Sequence, residues 1–509
     1  MKLRNKLYPL ALGALLVAGA TTSCSLEEEI LGRKTIDTGS GGGSTSDLAG
    51  VYNQLNAFNS QSNMYALQEH TSDEMQGPTR GTDWGDFGTW RKLHQHTWDA
   101  QHNQINDTWD IMNIGVFRAT QVIAKSTDNQ SKAEASFLRA FFMFNLVDFF
   151  GQVPFREATD SPDSNPKVFS RKDALDFVVK DLEFAASTLP SGNAGKATKE
   201  AANFLLAKAI LNKAVYAQDP KTPSGPFTFA KADMDNVVKY ADAVINSGKY
   251  SIEPAREYFD NFKWDNSTVS KELIFVRENS NTDQPANVRE RSYMTLHYNQ
   301  KPNGWNGFTT LADFYNSFEK TDVRLGGPLT GFTDKSGLNT GFLIGQQKDE
   351  KGVNLKDRSG NPLAFTSDVN ILFASETKGI RVIKYPLDPA NIDNSANDYV
   401  FFRYADVILM KAEALFRSGN AAGALTLVNQ IRTNRGLTAL ATLTEKALLE
   451  ERGHELYWEG WRRNDQVRFG TFLNPMDNKA ATSPNHVVVF PIPQRAVDTN
   501  PNLKQNFGY

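Results

Sequence analysis

The residues best suited to chemistry lie between Asp73 and Trp90, in a glycine-rich stretch that also holds tryptophan, arginine and aspartate. Glycine recurs every few residues, so we predict a long loop without a persistent helix or strand. Aromatic faces can stack on the C–H patches of a sugar ring, and polar side chains can bind its hydroxyls. The loop therefore favours carbohydrate binding, with burial of its aromatic residues in the core as the alternative.

Candidate ligand contacts follow from the chemistry of the side chains. In the loop, Trp84 and Trp90 are the predicted exposed stacking platforms. Asp73, Arg80 and Asp83 are the predicted hydroxyl binders, because charged groups form the stronger class of hydrogen bond. Further candidates lie in the middle of the chain, where core packing or ion pairing is the alternative: Trp305, Arg381, Tyr385 and Tyr399.

Carboxylates provide only a weak case for catalysis. Asp73 and Asp83 could in principle form the acid pair of a glycoside hydrolase, but no motif defines a general acid and a base. Glu450, Glu451 and Glu455 are expected to form a charged face on one helix. We therefore predict a protein that is not an enzyme.

Histidines provide an equally weak case for a metal. His94, His96 and His102 have no cysteine or carboxylate partner at a fixed spacing, so we predict neither a metal site nor a cofactor. Four tryptophans at helical spacing are predicted to lie in the core: Trp98, Trp109, Trp458 and Trp461.

The composition indicates a large folded chain. Of its 509 residues, 40% are hydrophobic and 11% are aromatic, enough for a substantial core. The formal net charge is −3, so no basic surplus indicates nucleic-acid binding. Cys24 is the only cysteine, and an internal disulfide is therefore excluded.

The N-terminal segment is predicted to direct export. Basic residues precede an apolar run from Leu10 to Ala20, which is typical of a signal peptide over residues 1–23. Cys24 follows directly, and the arrangement resembles a bacterial lipobox, in which that cysteine is lipidated. An ordinary signal peptide with a chance cysteine is the alternative. Residues 24–46 are expected to form a flexible tether because glycine and serine dominate its second half.

Apolar residues at helical spacing predict a mainly α fold made of helix pairs. Small residues at packing positions in the last pair are typical of tetratricopeptide-like units. One pair cannot bury its apolar stripe alone, so four pairs should stack into a curved scaffold. The predicted pairs are Asp47–Phe58 with Asn103–Lys125, Lys132–Phe150 with Arg171–Leu189, Lys199–Tyr216 with Lys231–Ser247, and Arg403–Ser418 with Ala421–Arg432.

Residues 250–400 have a different texture, with short apolar runs between clusters of glycine, asparagine and proline. We predict a loop-rich, irregular subdomain with a few short strands, within a single domain over residues 47–509. The helix-pair scaffold would then comprise residues 47–249 and 401–470. Further predicted elements are strands at Leu273–Val276 and Val487–Ile492 and helices at Asp313–Phe318, Lys446–Trp458 and Arg462–Phe469.

Three blocks of the chain resemble the SusD/RagB family. Residues 133–154 read AEASFLRAFFMFNLVDFFGQVP, and residues 403–414 read RYADVILMKAEA. The third block, residues 450–463, reads EERGHELYWEGWRR and is completed by Asp465 and Arg468. With the lipobox, these blocks span nearly the whole chain.

This resemblance implies a lipid-anchored protein on the outer membrane, and the acidic run Glu27–Glu29 resembles the surface-export signal of such lipoproteins. Family members bind oligosaccharides or polysaccharides without cleaving them and deliver them to a SusC-like, TonB-dependent transporter. The helix pairs would pack against the transporter, and the sugar site would lie among the non-helical insertions. A glycoside hydrolase and a peptide-binding helical-repeat adaptor are the alternatives.

Overall fold

Helices account for most of the regular structure in the computed structural model, which describes residues 44–282 and 287–509. The α-helices are α1 (Ser44–Asn53), α2 (Met64–Glu69), α3 (Thr89–His94), α4 (Asn103–Lys125), α5 (Asn129–Phe150), α6 (Arg171–Thr188), α7 (Lys199–Leu211), α8 (Lys213–Tyr216), α9 (Lys231–Ile245), α10 (Asn266–Val269), α11 (Glu290–Tyr293), α12 (Ala312–Asn316), α13 (Thr333–Ser336), α14 (Tyr404–Arg417), α15 (Ala421–Asn434), α16 (Glu445–Leu456), α17 (Arg462–Arg468) and α18 (Gln494–Thr499).

The long helices form the four predicted pairs: α1 with α4, α5 with α6, α7 with α9, and α14 with α15. Successive pairs also pack on each other, through α4 and α5, α6 and α7, and α9 and α14. Each pair thereby buries the apolar face that the next one leaves open. The prediction of a mainly α, tetratricopeptide-like scaffold is confirmed.

Local sequence explains where these helices begin and how closely they approach. The side chains of Asp128 and Ser170 accept hydrogen bonds from the backbone N–H groups at the starts of α5 and α6. Gly115 of α4 lies directly on Phe142 of α5, and a Cβ atom there would come within 2.5 Å of the ring. The close contact of α4 and α5 therefore requires glycine at this position.

The strands form two-stranded antiparallel ladders. β1 (Val153–Phe155) pairs with β2 (Lys167–Phe169), and β3 (Leu273–Arg277) pairs with β8 (Tyr399–Arg403). The second of these ladders contains the predicted strand at Leu273–Val276. The remaining ladders lie in the irregular region: β4 (Gly341–Leu343) with β7 (Arg381–Ile383), and β5 (Gly345–Gln346) with β6 (Ala364–Phe365).

The prediction of a last strand at Val487–Ile492 is wrong. A 3-10 helix covers Asn485–Val488, and the residues after it have no strand partner. Instead, the N–H of Phe490 donates to the carbonyl of Phe149, and the N–H of Ile492 donates to the side chain of Gln505. The segment is buried by packing on α5 rather than by joining a sheet.

The N-terminal boundary differs from the predicted one. The predicted signal peptide and Cys24 lie outside the described residues, whereas residues 44–46, predicted as tether, are already helical. Asp47 therefore lies in the first turn of α1 and is not its N-cap. Ser44–Tyr509 form one compact unit. Within the described part of the chain, no helix has both the length and the apolar character needed to span a bilayer.

The charged residues predicted on one helix lie on α16, but two of the three are buried. Glu451 and Glu455 are fully buried, and both accept hydrogen bonds from Arg324. Glu455 is also bound by Arg403 and Arg435, whose charges hold its carboxyl pKa well below the usual range although burial alone would raise it. These ions are stabilised by one another inside the protein. The tryptophans predicted for the core are buried.

Candidate functional site

The stretch from Asp73 to Trp90 lies between the two helices of the first pair and is joined to two distant segments by backbone hydrogen bonds. Gln76 and Thr309 exchange bonds of 2.9 and 3.0 Å. The N–H of Thr79 donates to the carbonyl of Ile371, and its carbonyl accepts from the N–H of Ala374. Three irregular segments therefore form one surface, which no single segment could form alone.

Trp84 and Trp305 come together on this surface. The indole N–H of Trp84 donates to the backbone carbonyl of Trp305 at 2.9 Å, and the ring centroids are 6.5 Å apart. Tyr293 contacts the Trp305 ring edge to face, with centroids 5.8 Å apart. All three side chains are partly exposed, and Trp305 is 38% accessible. We refer to Trp84, Trp305 and Tyr293 as the aromatic ledge.

Below the ledge lies a layer of buried aromatic rings. Trp90 packs against Phe308 and His70, with centroids 4.9 and 5.1 Å away, and Phe308 lies 4.7 Å from Trp84. The indole N–H of Trp90 donates to Asp86 at 2.6 Å. The predicted exposure of Trp90 is therefore wrong: its ring supports Trp84 from below.

A polar network borders the ledge. Asp83 accepts a 2.6 Å hydrogen bond from the hydroxyl of Tyr298, and the guanidinium of Arg358 lies 4.0 Å above the Tyr298 ring. Arg358 pairs with Glu376, which His297 also contacts at 3.0 Å. Burial and the Asp83 carboxylate raise the pKa of Tyr298 to about 12, so its hydroxyl remains a donor at neutral pH. Asp83 is half-buried and keeps acceptor capacity beyond this one bond.

Arg80 lies beneath this network and is buried, so the prediction that it binds ligand hydroxyls is wrong. Its guanidinium donates to three backbone carbonyls, those of Gly307, Ser375 and Lys378, at distances from 2.5 to 3.2 Å. Burial lowers the pKa of Arg80 to about 9. The side chain thus joins the segment of Trp305 to the segment that carries Glu376.

Arg381 also donates hydrogen bonds to backbone carbonyls, and it is more deeply buried than Arg80. It is fully buried and donates to the carbonyls of Lys378 and Glu376 and to the side chain of Asn306. Burial and the nearby charge of Arg80 hold its pKa well below the usual range. The prediction that Arg381 faces the ligand surface is therefore wrong, because its donors serve the protein interior.

The remaining predicted contacts do not lie on the ledge. Tyr399 and Tyr385 are buried and stack on each other, with centroids 5.9 Å apart, so both are core residues. Asp73 accepts two hydrogen bonds, of 2.7 and 2.9 Å, from Arg462 of α17. Its carboxylate therefore attaches the start of the loop to the C-terminal helices and is not free to bind hydroxyls.

Two buried carboxyl groups reinforce this attachment. Glu69 accepts from the N–H of Gly460 at 2.6 Å, and Glu74 accepts from the N–H of Trp458 at 2.9 Å. Both are almost completely inaccessible. Burial raises the pKa of Glu69 to about 7 and raises that of Glu74 well above its usual value. The pair therefore holds a proton near neutral pH.

The three histidines weighed as metal ligands each serve a separate contact. The Nε2 atoms of His94, His96 and His102 lie within hydrogen-bond distance of different backbone carbonyls. Burial lowers the pKa of all three. Within the described residues, no group of three or more His, Cys, Asp or Glu side chains is arranged to hold a metal ion.

The rings of the ledge are partly exposed to solvent. A cleft of about 570 Å³ lies elsewhere in the irregular region, among Thr330, Asp334, Gln346 and Asp349, and none of the predicted contacts lines it. Exposed aromatic side chains with polar groups beside them can bind a chain-like ligand, because each ring of such a ligand can stack its apolar face on an aromatic side chain. An enclosed small molecule would require a concave site.

Sequence reasoning missed three residues of this surface: Tyr293, Tyr298 and Arg358. The two tyrosines lie within twelve residues of Trp305 in a loop-rich stretch, and that proximity was a usable signal. No comparable signal marks Arg358, because its contact with Tyr298 joins chain segments 60 residues apart. Of the predicted residues, only Trp84, Asp83 and Trp305 meet at the surface.

Comparison with known proteins agrees with this architecture. A SusD family model matches residues 271–485, and a second model, described as "Starch-binding associating with outer membrane", matches residues 46–213. The chain belongs to the SusD/RagB family. Both models lie on the unit formed by Ser44–Tyr509. Their two ranges include most of the paired helices, except α9, and part of the irregular region.

Relatives within the SusD/RagB family are distant in sequence. The starch-binding protein SusD of Bacteroides thetaiotaomicron is 26% identical over 434 residues, which cover 75% of this chain and 73% of SusD. The SusD-like protein P38 of Formosa agariphila is 25% identical, and the match covers 79% of each chain.

Solved structures of this family share the fold. A SusD-like protein from Bacteroides fragilis superposes with a TM-score of 0.71 at 21% identity, over 92% of this chain and 96% of the other. A laminarin-binding SusD-like protein superposes with a TM-score of 0.68 at 19% identity, over 92% of this chain and 99% of the other.

Proposed function

We propose that this SusD/RagB protein binds an oligosaccharide or polysaccharide on the aromatic ledge at the bacterial cell surface. The observation that carries the proposal is the hydrogen-bonded pair of Trp84 and Trp305, which presents two partly exposed rings at a fixed spacing. Sugar rings would stack on these indoles, and their hydroxyls would bind the polar network of Asp83, Tyr298 and Arg358.

The residues beneath the ledge hold its rings in place before a ligand binds. Arg80 joins the segments that carry Trp305 and Glu376, and Trp90 with Phe308 fills the space under Trp84. Surface side chains that are already held in place lose less conformational entropy when a ligand binds. The names of two relatives, a starch-binding protein and a laminarin-binding protein, support a glycan as the ligand.

We further propose that the protein binds its glycan without cleaving it. The two aspartates considered for hydrolysis have separate partners: Asp73 is paired with Arg462, and Asp83 accepts from Tyr298. A glycosidase needs two carboxyl groups that face each other across the scissile bond. Prolonged incubation with each glycan followed by product analysis tests this point, and release of shorter sugars would contradict it.

In the proposed cellular role, lipidated Cys24 anchors the protein to the outer membrane, and the bound glycan passes to a SusC-like, TonB-dependent transporter. The family membership of the chain and the words "associating with outer membrane" in one matching model support this role. Fractionation of cells that express Cys24→Ser tests the anchor, since the variant should leave the membrane fraction. Co-purification from detergent-solubilised membranes tests the transporter.

Binding is tested by affinity electrophoresis and calorimetry with amylopectin, laminarin, inulin, xylan and mucin glycans. We expect at least one of them to retard the protein, and Trp84→Ala with Trp305→Ala to abolish the retardation. Phe184→Ala is the matched control, because Phe184 is a partly exposed aromatic residue on α6, away from the ledge. Failure of every glycan to bind the wild-type protein would overturn the proposed function.

A further inference from the structure

Two aromatic side chains near the ledge are far more exposed than its own rings. Phe87 is fully accessible, and Phe373 is 81% accessible; Leu372, next to Phe373, is 42% accessible. Aromatic side chains ordinarily contribute large areas to cores or interfaces. A ring left in solvent beside a binding surface is free to stack on the part of a ligand that extends past that surface.

Phe373 is held in place by the loop that carries the ledge. Its segment bonds to Thr79 on both sides, through the carbonyl of Ile371 and the N–H of Ala374. Leu372 and Phe373 therefore form the tip of a short turn over Thr79. The methyl group of Thr79 in turn faces Gly85, the residue after Trp84, at 4.0 Å from the position of a Cβ atom there.

Phe87 lies in the same loop and has an unusual backbone conformation. Its φ is 54°, a left-handed conformation that is uncommon for a residue with a side chain. The conformation is stabilised on both sides, because Asp86 accepts from the indole of Trp90 and the N–H of Gly88 donates to the carbonyl of Gly85. The local hydrogen bonds thus direct the backbone while leaving the Phe87 side chain in solvent.

We propose that Phe87 and Phe373 are outlying stacking platforms, so that the protein binds a long glycan chain more tightly than a short one. This inference rests on the proposed function and extends it from the kind of ligand to its length. The chain from Trp84 to Phe87 spans at most about 11 Å between Cα atoms, so a polymer bound on the ledge could reach Phe87.

The surroundings favour a glycan over a protein partner. The two exposed rings lie on separate turns, beside the polar residues Asp86, Asn370 and Ser375. The cores of protein interfaces are contiguous, closely packed and apolar. Separate rings with polar groups between them match a polymer whose units repeat an apolar face and a hydroxyl rim.

The test compares a polysaccharide with its own trisaccharide, for example amylopectin with maltotriose or laminarin with laminaritriose. The double variant Phe87→Ala/Phe373→Ala should bind the polysaccharide about tenfold more weakly than wild type, with trisaccharide affinity unchanged. Trp84→Ala should weaken binding of both ligands. The control double variant, Phe184→Ala/Phe507→Ala, removes two other exposed phenylalanines and should change neither affinity.

The outcomes distinguish this inference from the proposed function. If the Phe87→Ala/Phe373→Ala protein bound polysaccharide within twofold of wild type, the outlying platforms would be rejected while the ledge remained. An accompanying loss of co-purification with the transporter would then assign the two rings to a protein contact. If the wild-type protein bound no glycan, both proposals would fall together.

Discussion

The indole N–H of Trp84 donates to the backbone carbonyl of Trp305, so one hydrogen bond joins residues 221 positions apart in the chain. The two rings are partly exposed, and their centroids are 6.5 Å apart. Because the bond uses a backbone acceptor, it fixes the position of Trp84 relative to the loop of Trp305 whatever the rotamer of Trp305. The position of the Trp84 ring relative to this loop is therefore determined before any ligand arrives.

Replacing Trp84 separates the contribution of its ring from that of its hydrogen bond. Trp84→Ala should lower glycan affinity by about 2 kcal/mol or more, the range of a binding hot spot. Trp84→Phe keeps an aromatic face but loses the N–H, and we expect a smaller loss of about 1 kcal/mol. Calorimetry measures both values. Wild-type affinity in the Phe variant would show that the bond to Trp305 does not matter for binding.

Gly307 offers a test that removes no aromatic side chain. A Cβ atom there would lie 2.5 Å from the Trp84 ring and 2.8 Å from the carbonyl of Met294. Gly307→Ala should therefore displace Trp84 and weaken glycan binding about tenfold, because the ring would leave its supported position. Gly327→Ala is the matched control, since nothing lies within 4 Å of its Cβ position. Equal affinities for the two variants would contradict a rigid ledge.

Arg80 should act through stability rather than through direct contact with ligand. Arg80→Lys keeps the positive charge, but one ammonium cannot reproduce the planar fork that reaches the carbonyls of Gly307, Ser375 and Lys378. We expect the free energy of unfolding to fall by about 2 kcal/mol, as measured in urea, because buried carbonyls lose their donors. If Arg80→Lys lowered glycan affinity without changing stability, Arg80 would instead be assigned to direct contact with the ligand.

The pair Glu69 and Glu74 predicts a pH dependence of stability. Burial raises the pKa of Glu69 to about 7, above its value in the unfolded chain, so the folded protein binds more protons between these two values. Nearby Arg291 and Arg462 oppose this effect without outweighing it. The contribution of the pair to stability should be complete near pH 4.5 and should be lost as the pH rises through 7.

Glu69→Gln isolates that contribution. The amide stays neutral and can donate as a protonated carboxyl does, so stability should decrease less between pH 5.5 and 8 than in wild type. Urea unfolding at several pH values measures the slope. Glu257→Gln, at an exposed position, should leave the wild-type slope unchanged. A wild-type slope in Glu69→Gln would show that the pair is not protonated in the folded state.

The sequence predicted elements better than it predicted exposure. The helix pairs followed from local apolar spacing, which a single segment displays by itself. Trp84 and Trp305 were found because each lies in a glycine-rich loop. Arg80 and Arg381 were misjudged because their partners are backbone carbonyls of residues 375–378, and carbonyls leave no trace in the sequence. The burial of Trp90 likewise depends on Phe308, more than two hundred residues away.

The two buried arginines recognise main-chain oxygens in the segment from Ser375 to Lys378, and the side chains of those two residues take no part in that contact. Substitutions of Ser375 and Lys378 should therefore be tolerated by the fold. The same substitutions would change the side chains that are available to contact a ligand. Ligand preference could diversify there over generations at little risk to folding. The same two positions are suitable starting points for a library that redirects the surface towards a chosen polymer.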